Sequence, residues 1–375
     1  MMEDVVVEPV VKSKQLREFF NLPQSLYRED PNYVVPLRAE LSKQFDKKKN
    51  PFFQHADVQP FLAYRDGQVV GRITAAQNYR HNEFYGDDTG FFGFFECIDD
   101  NEVAYALLTK AEEWLRKRNL FTVLGPLSFS MNDDVCPGVL VRGFDFPPFI
   151  LMGHALPYYQ HLIEGVGYEK VVDVLSFKMP IQQEMNPRFT YIVEKLKKTR
   201  RISIRYFDPK NFWRDAKILI DIYNSAWKGN WGFVPFTDEE FIEIVKSLKK
   251  IYIKELVQIA EIDGEPVGWA MTLPNINEAL IHIKGRLFPF GIFKLIYWMK
   301  RIKGLRLWGL GIKPEYRKRG VDVMLYYHTF LEGKRLGYTD GELSWVLETN
   351  APIIRAASYV KGEEYKRYRI YRKQL

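Results

Sequence analysis

The stretch AYRDGQVVGRITAAQN (Ala63–Asn78) aligns without a gap on AEIDGEPVGWAMTLPN (Ala260–Asn275), and this internal echo limits the fold more than any other feature of the chain. Asp66-Gly67 falls on Asp263-Gly264, Val70-Gly71 on Val267-Gly268, and Asn78 on Asn275. In each copy apolar residues alternate on either side of the Asp-Gly pair, the pattern of a hairpin closed by a tight turn. A chain that writes this hairpin twice is read as a duplicated unit.

Each copy continues in the same order. The first runs through a strand, TGFFGFFECI, and an amphipathic helix, NEVAYALLTKAEEWLRKRNL; the second through LRLWGLGI and GVDVMLYYHTFLEGKRLGY. Both helices repeat apolar residues at three- and four-residue spacing and end in basic residues, which suit a helix C-terminus. A strand (FTVLGPLSF; GELSWVLET), a short helix (YYQHLIEGVGY; APIIRAASYV) and a last strand follow. The predicted fold class is α/β with mixed sheets, in two tandem units of largely antiparallel pairing. The boundary is expected in the polar connector Lys178–Phe189, framed by Pro180 and Pro187, giving domains 1–180 and 181–375.

Matching Leu108 to Leu325 needs about 20 residues more offset than the hairpins do, so the second unit carries an insertion, GRLFPFGIFKLIYWMKRIKG at 285–304. It is not a membrane span, since a bilayer core needs about 20 mostly apolar residues and Lys294 interrupts the run. Drawn as a helix, it puts Ile292, Leu295, Ile296, Met299 and Ile302 on one face, with Lys294 and Arg301 opposite beside Tyr297 and Trp298. That suits a helix lying in a lipid interface; ordinary packing against the neighbouring unit is the alternative.

The net charge of +7 favours anionic partners: a phosphate-bearing cofactor, an anionic membrane surface or nucleic acid. Nucleic acid is set aside because the cations are dispersed and no reading motif occurs. With only Cys97 and Cys136 there is no disulfide framework or cysteine-based zinc site, and no histidine pair has metal-ligand spacing, so no metal is expected. The acidic start MMEDVVVEPV is unlike a signal peptide, and the expected location is the cytoplasm, peripheral on the inner face of the membrane.

The strongest chemical signal is GIKPEYRKRGVDVMLYY. A strand ends at Ile312, a cationic turn with Arg317, Lys318 and Arg319 follows, and a helix opens near Gly320. Such a turn aims free backbone amides at one point at the positive end of the helix dipole, which suits a pyrophosphate. The first copy has ECIDDNEV at this place, where Glu96, Asp99 and Asp100 would repel one.

On these residues the chain resembles the Gcn5-related N-acetyltransferase (GNAT) superfamily, whose Arg/Gln-x-x-Gly-x-Gly/Ala signature binds the pyrophosphate of acyl-CoA. Arg317 and Gly320 fit it, whereas Asp322 replaces the second small residue. Asn350 matches the asparagine that opens the family's fourth helix, and the family's tyrosine acid falls on Ala357, which leaves that role vacant or passes it to Tyr359. GPLSFSMNDDVCPGVLVRGFDFPPFILMGHALPYY (Gly125–Tyr159) and INEALIHIKGRLFPFG (Ile276–Gly291) further resemble the bacterial ceramide synthase-like group of tandem GNAT proteins.

The resemblance implies acyl-CoA or acetyl-CoA as co-substrate, held by Leu310, Gly311, Ile312, Arg317, Lys318, Arg319, Gly320, Val321 and Asp322. It implies transfer of the acyl group to an amine, in this group a long-chain lipid amine such as a sphingoid base. The expected catalytic residues are Glu348 as base, with Asn350 and Tyr359; His282 and His328 are alternatives for the base. Asn132, Asp133, His154, Tyr158, Tyr159 and His282 are expected on the acceptor side, with the first unit a degenerate partner. Two other functions fit the same residues: a non-catalytic lipid- or protein-binding module, which Asp322 and Ala357 both permit, and an acetyltransferase of a small soluble amine.

Overall fold

Both Asp-Gly pairs form the turn their residues favour: Asp66 and Gly67 have φ of 51° and 70°, and Asp263 and Gly264 have 51° and 83°. Positive φ at both central residues matches the twist of the flanking strands. The duplication extends to a bulge. Pairing skips Val70 in the first hairpin and the aligned Val267 in the second, and each carbonyl so released accepts an amide from beyond the next strand, Ile98 and Lys313.

A computed structural model describes residues 4–130, 137–199 and 201–375. The chain forms two compact units, one of Met1–Val174, Ile283–Gly291 and Lys366–Leu375, the other of Leu175–His282 and Ile292–Tyr365. A single cut after residue 180 therefore leaves out that the first unit also takes the chain's end and a piece of the inserted segment.

The first unit runs β1 (Val6–Pro9), α1 (Ser13–Leu26), α2 (Arg38–Gln44), β2 (Ala56–Arg65), β3 (Gln68–Asn78), α3 (Tyr79–Tyr85), β4 (Thr89–Cys97), α4 (Asn101–Arg116), β5 (Thr122–Leu127), β6 (Val139–Arg142), α5 (Tyr159–Gly165) and the start of β7 (Glu169–Pro180). Its sheet has the order β1-β2-β3-β4-β5, followed by the chain's last strand, where Tyr371 pairs with Gly125 and Gln374 with Thr122. β4 and β5 are parallel, joined by α4 as the crossover. Val103, Leu107, Leu108, Ala111 and Leu115 of α4 are fully buried, the larger of them contributing about 1.5–3 kcal/mol each. Gly71 allows this approach, because a β-carbon there would lie 2.6 Å from a Leu107 methyl.

The second unit repeats the plan with α6 (Pro187–Thr199), β8 (Ile202–Tyr206), α7 (Phe212–Ala226), α8 (Asp238–Leu248), β9 (Val257–Ile262), β10 (Glu265–Pro274), α9 (Asn277–Leu280), α10 (Gly291–Met299), β11 (Gly304–Ile312), α11 (Val321–Arg335), β12 (Asp340–Leu347), α12 (Ala351–Tyr359) and the start of β13 (Glu363–Gln374). Its order is β8-β9-β10-β11-β12, completed by the end of β7. Ala260, Val267, Ala270, Leu307, Leu343 and Val346 of the sheet pack against Val321 and Leu325 of α11. Fully buried Arg306 of β11 stands opposite Glu342 of β12 and donates to Ser344 Oγ at 2.8 Å, while Ser344 and Tyr365 donate to the Glu342 carboxylate.

The inserted helix is shorter than the 285–304 expected. Only Gly291–Met299 is helical, because the Phe288-Pro289 step precedes it and proline removes an amide donor. Its faces also differ: Trp298 turns inward to stack on His282, with ring centroids 3.7 Å apart, while Ile296 points outward. Among the described residues no helix is long and apolar enough to cross a membrane.

Candidate active site

The parallel strands β11 and β12 pair only from Gly304–Asp340 to Leu307–Leu343. Trp308 is then bulged out of the β10 register, β11 continues to Ile312 and β12 to Leu347, and the two diverge into a V. The Lys313 amide donates to the Val267 carbonyl of β10. Alternation along an antiparallel pair therefore turns the Gly311 amide to β10 as well and leaves those of Leu310 and Ile312 facing the V. Two amides aimed at one gap can hold a developing oxyanion.

The cationic turn closes the wide end of the V. Lys313 and Tyr316 both bind Glu265, at 2.8 and 2.7 Å, and fix the start of the turn. Those bonds hold the exposed Glu265 carboxyl below its usual range. Arg317 donates to the Ala226 carbonyl at the end of α7 at 2.5 Å, and Arg319 lies over the Tyr316 ring. Lys318 and Gly320 have φ of 61° and 85°, and Gly320 caps α11 without offering a side chain. The first intrahelical bond is Met324 to Gly320, so the amides of Val321, Asp322 and Val323 have no partner within the helix. Val321 is fully buried and can serve an anion only through its backbone. Asp322 lies in the first turn, and burial first, then the Asp322 charge, pushes the Tyr326 phenol up.

A cavity of about 330 Å³ runs beside this turn between α11, α12, α6 and the sheet. Asp322, Val323, Tyr326, Thr329 and Phe330 of α11 line it at the spacing of one helix face. Leu307 and Leu343, the last pair before the V opens, form part of its floor. Thr272, 2 % exposed, also faces it, and its hydroxyl has no hydrogen-bond partner among the described residues. The sequence signal for Tyr326 and Phe330 is the apolar stripe of α11, whereas Thr272 on β10 carries none.

The opposite face of β10 and β11 carries Trp269 and Trp308; Trp269 stacks on Trp227 and Trp227 on Tyr223, while Trp308 is tilted against Trp269. Gly309 and Gly311 permit this, since a β-carbon would meet the Trp269 and Trp227 rings at 2.6 and 2.3 Å.

The expected catalytic residues are distributed unevenly. Asn350 accepts from the Ile353 amide and caps α12, a structural use of its side chain. Glu348 follows β12 directly, at the open end of the V. Ala357 is a fully buried core residue, with no room there for a tyrosine, and Tyr359, 38 % exposed, lines the cavity. His282 does not join this group: Pro274 pairs with Leu305 at the start of β11, so His282 lies past the end of the strand remote from the turn. His328 is half-buried on α11, and burial lowers its pKa.

In the first unit the expected acceptor residues belong to a buried network. Tyr159 and Tyr27 donate to Glu96 at 2.6 and 2.8 Å, Tyr158 donates to the Cys97 carbonyl, and His154 meets Asp30 at 2.7 Å. Burial raises the Glu96 pKa against the opposing pull of Arg72 and the two phenols. Tyr159 is 1 % exposed, so it is core rather than an open wall. Asn132 and Asp133 lie outside the described residues. At the position of the cationic turn, Asp100 caps α4 by accepting from Glu102 and Val103 and pairs with Arg65 at 2.6 Å. The expected repulsion of a phosphate is thus joined by occupation of the amides that would hold it. Among the described residues no cluster of His, Cys, Asp or Glu could hold a metal.

No family model matches the chain. It is 37% identical over 378 residues to protein YghO of Escherichia coli K12, covering 99% of this chain and 95% of that one. It is likewise 37% identical over 380 residues to the bacterial ceramide synthase of Caulobacter vibrioides, covering 99% and 98%. The fold matches a tandem GNAT protein from the clavulanic acid biosynthesis pathway with a TM-score of 0.60 at 12% identity, over 99% of this chain and 98% of that one. The repeated hairpins, the V and the full-length identity lead to one conclusion: the chain belongs to the tandem GCN5-related N-acetyltransferases, in the group that includes the bacterial ceramide synthase.

Proposed function

We propose that the protein is an acyl-CoA-dependent N-acyltransferase acting on a long-chain lipid amine such as a sphingoid base. The observation that carries this is the V between β11 and β12 with the cationic turn at its open end. Pyrophosphate on the amides of Val321–Val323, with Arg317, Lys318 and Arg319 around it, would direct the pantetheine arm into the V. The thioester oxygen would then meet the amides of Leu310 and Ile312. The amine nitrogen attacks the thioester carbon, Glu348 takes the ammonium proton, and the carbon–sulfur bond breaks. Tyr359 is the proposed proton source for the departing thiolate.

The acceptor class is supported by the relative's name and by the surface of the inserted segment. Phe288, Phe290 and Phe293 are 83, 70 and 67 % exposed, beside exposed Lys294, Lys300 and Arg301. Exposed aromatics flanked by cations suit an anionic lipid surface, where a greasy acceptor would be found.

Calorimetry with CoA tests the donor half. One site is expected, abolished by Arg317→Glu with Gly320→Glu; two sites, or none with any acyl-CoA, refute the assignment. Thiol release with an amine panel tests the acceptor half. Efficient acetylation of small soluble amines with sphinganine ignored would reject the lipid amine.

A further inference from the structure

We infer that Trp308 holds the acceptor amine as its ammonium ion, through the face of its indole ring, and so selects a cationic acceptor. This rests on the proposed donor site. There the coenzyme enters from the turn that opens α11, and Val321 and Leu325 of α11 cover one face of the sheet. The thioester between the diverging strands is then open to an amine from the other face. On that face the two units differ. In the first, Arg72 of β3 pairs with Glu96 of β4, an ion pair at 3.7 Å whose carboxylate is closed over by Tyr27 and Tyr159. In the second, the aligned Trp269 pairs with Gly311. Its indole lies along β11, where a β-carbon would come within 2.6 Å of the ring at Gly309 and 3.3 Å of Nε1 at Gly311. Glycine weakens a strand and marks a close approach, here that of rings.

Trp227 and Trp308 flank Trp269, with ring centroids 5.8 and 6.2 Å from it, so Trp269 is enclosed and 2 % exposed. Trp308 ends the row and is half-buried, and among the described residues no other ring packs on it. It stands at the bulge where β11 leaves β12, two residues before the Leu310 amide. A cation within about 6 Å of a tryptophan face is attracted by the ring quadrupole, more strongly where water is excluded. Arg306, two residues back along β11, does not oppose this, because its charge is balanced by Glu342 at 3.7 Å. A ring face attracts the charge without binding a particular proton, which leaves the proton to Glu348. The attraction lapses once that proton has left, and the nitrogen is free to attack.

Calorimetry on the full-length protein loaded with CoA compares octylamine with 1-octanol, which share a chain and differ in charge at neutral pH. The wild-type protein should bind the amine about five- to thirtyfold more tightly. Trp308→Leu should remove that difference and leave CoA affinity unchanged, and Trp308→Phe should keep most of it. In turnover with whichever amine the panel identifies, Trp308→Leu should raise KM by the same factor with kcat nearly unchanged. Equal wild-type affinities for amine and alcohol overturn the inference, and with CoA still bound they leave the acyltransferase assignment standing. Equal weakening of both ligands in Trp308→Leu also overturns it, because the ring then only packs. So does an amine preference that survives Trp308→Leu, which then belongs to Glu348. A preference lost with Trp308 in a protein that turns over no acyl-CoA upholds the inference and rejects the acyltransferase reading.

Discussion

Gly320 can be tested as the residue that shapes the turn proposed to hold the pyrophosphate, because its two requirements separate. Its φ of 85° is left-handed, and a β-carbon there would lie 2.6 and 2.7 Å from the two methyls of Leu196 on α6. For Gly320→Ala the backbone conformation costs about 1–2 kcal/mol. Crowding adds about 1 kcal/mol, the low end for overpacking, because the Leu196 methyls end a flexible side chain. The single substitution should therefore destabilise the second unit by about 2–3 kcal/mol. Leu196→Ala opens the space. In that background Gly320→Ala should cost only the backbone part, leaving a coupling of about 1 kcal/mol. Urea unfolding of the four proteins measures this, provided the denaturant slopes stay equal. CoA affinity should fall with Gly320→Ala and stay low in the double variant, since a shifted turn misaims the amides of Val321–Val323. A Gly320→Ala cost under about 0.5 kcal/mol, or one indifferent to Leu196, would refute the reasoning.

Two further outcomes are expected. Asp215 is fully buried and accepts from Arg205, Arg214 and the Asp208 amide; burial pushes its pKa up, but these bonds win and hold it below the ordinary 3.8. Its contribution is thus present above the ordinary value and lost as pH falls through it toward the folded one. Asp215→Asn should cost about 3 kcal/mol at neutral pH, and melting curves between pH 6 and roughly 3 should fall less steeply than in the parent. For the inserted segment, Lys294, Lys300, Arg301 and Lys303→Gln should weaken sedimentation with anionic vesicles by roughly 1 kcal/mol per charge. The parent's binding should itself weaken with salt as the screening length drops below about 10 Å. Salt-independent or absent binding would retire the membrane reading.

What was legible in the sequence follows from how local each signal is. Asp66-Gly67 and Asp263-Gly264 demand positive φ and so announce their own turns. The helix α6 carried a readable start, since Asn186 accepts from the Arg188 amide with Pro187 at the first helical position, and Phe189, Val193 and Leu196 recur on one face. Pro187 therefore opens a helix within the stretch whose prolines also suit a polar connector. The inserted helix starts only at Gly291, just after Pro289, and so is shorter than the 285–304 span suggests. The partner of the last strand was not readable at all. Its alternation says strand, but nothing local says that Tyr371 pairs with Gly125, 246 positions away.

The site was legible where chemistry sits in the backbone and illegible where it depends on packing. Gly320 and Asp100 occupy the same place in the two repeats, each capping the helix that follows the strand after the hairpin. Asp100 places a carboxylate on the Glu102 and Val103 amides, and the Arg65 hydrogen bond, despite some burial, holds its pKa below the ordinary value. The helix is thereby stabilised by about 1 kcal/mol and closed to any other anion. Gly320 forgoes that bond and leaves the equivalent amides without a partner inside the helix, the place proposed for the pyrophosphate. One duplicated fold thus carries a stabilised terminus and an open one, and the cap residue alone, readable in the sequence, tells which is which. Glu96 reads as an acid beside that terminus, yet its carboxylate is enclosed by Tyr27 and Tyr159 from distant segments. That enclosure is a product of packing, and only the fold could reveal it.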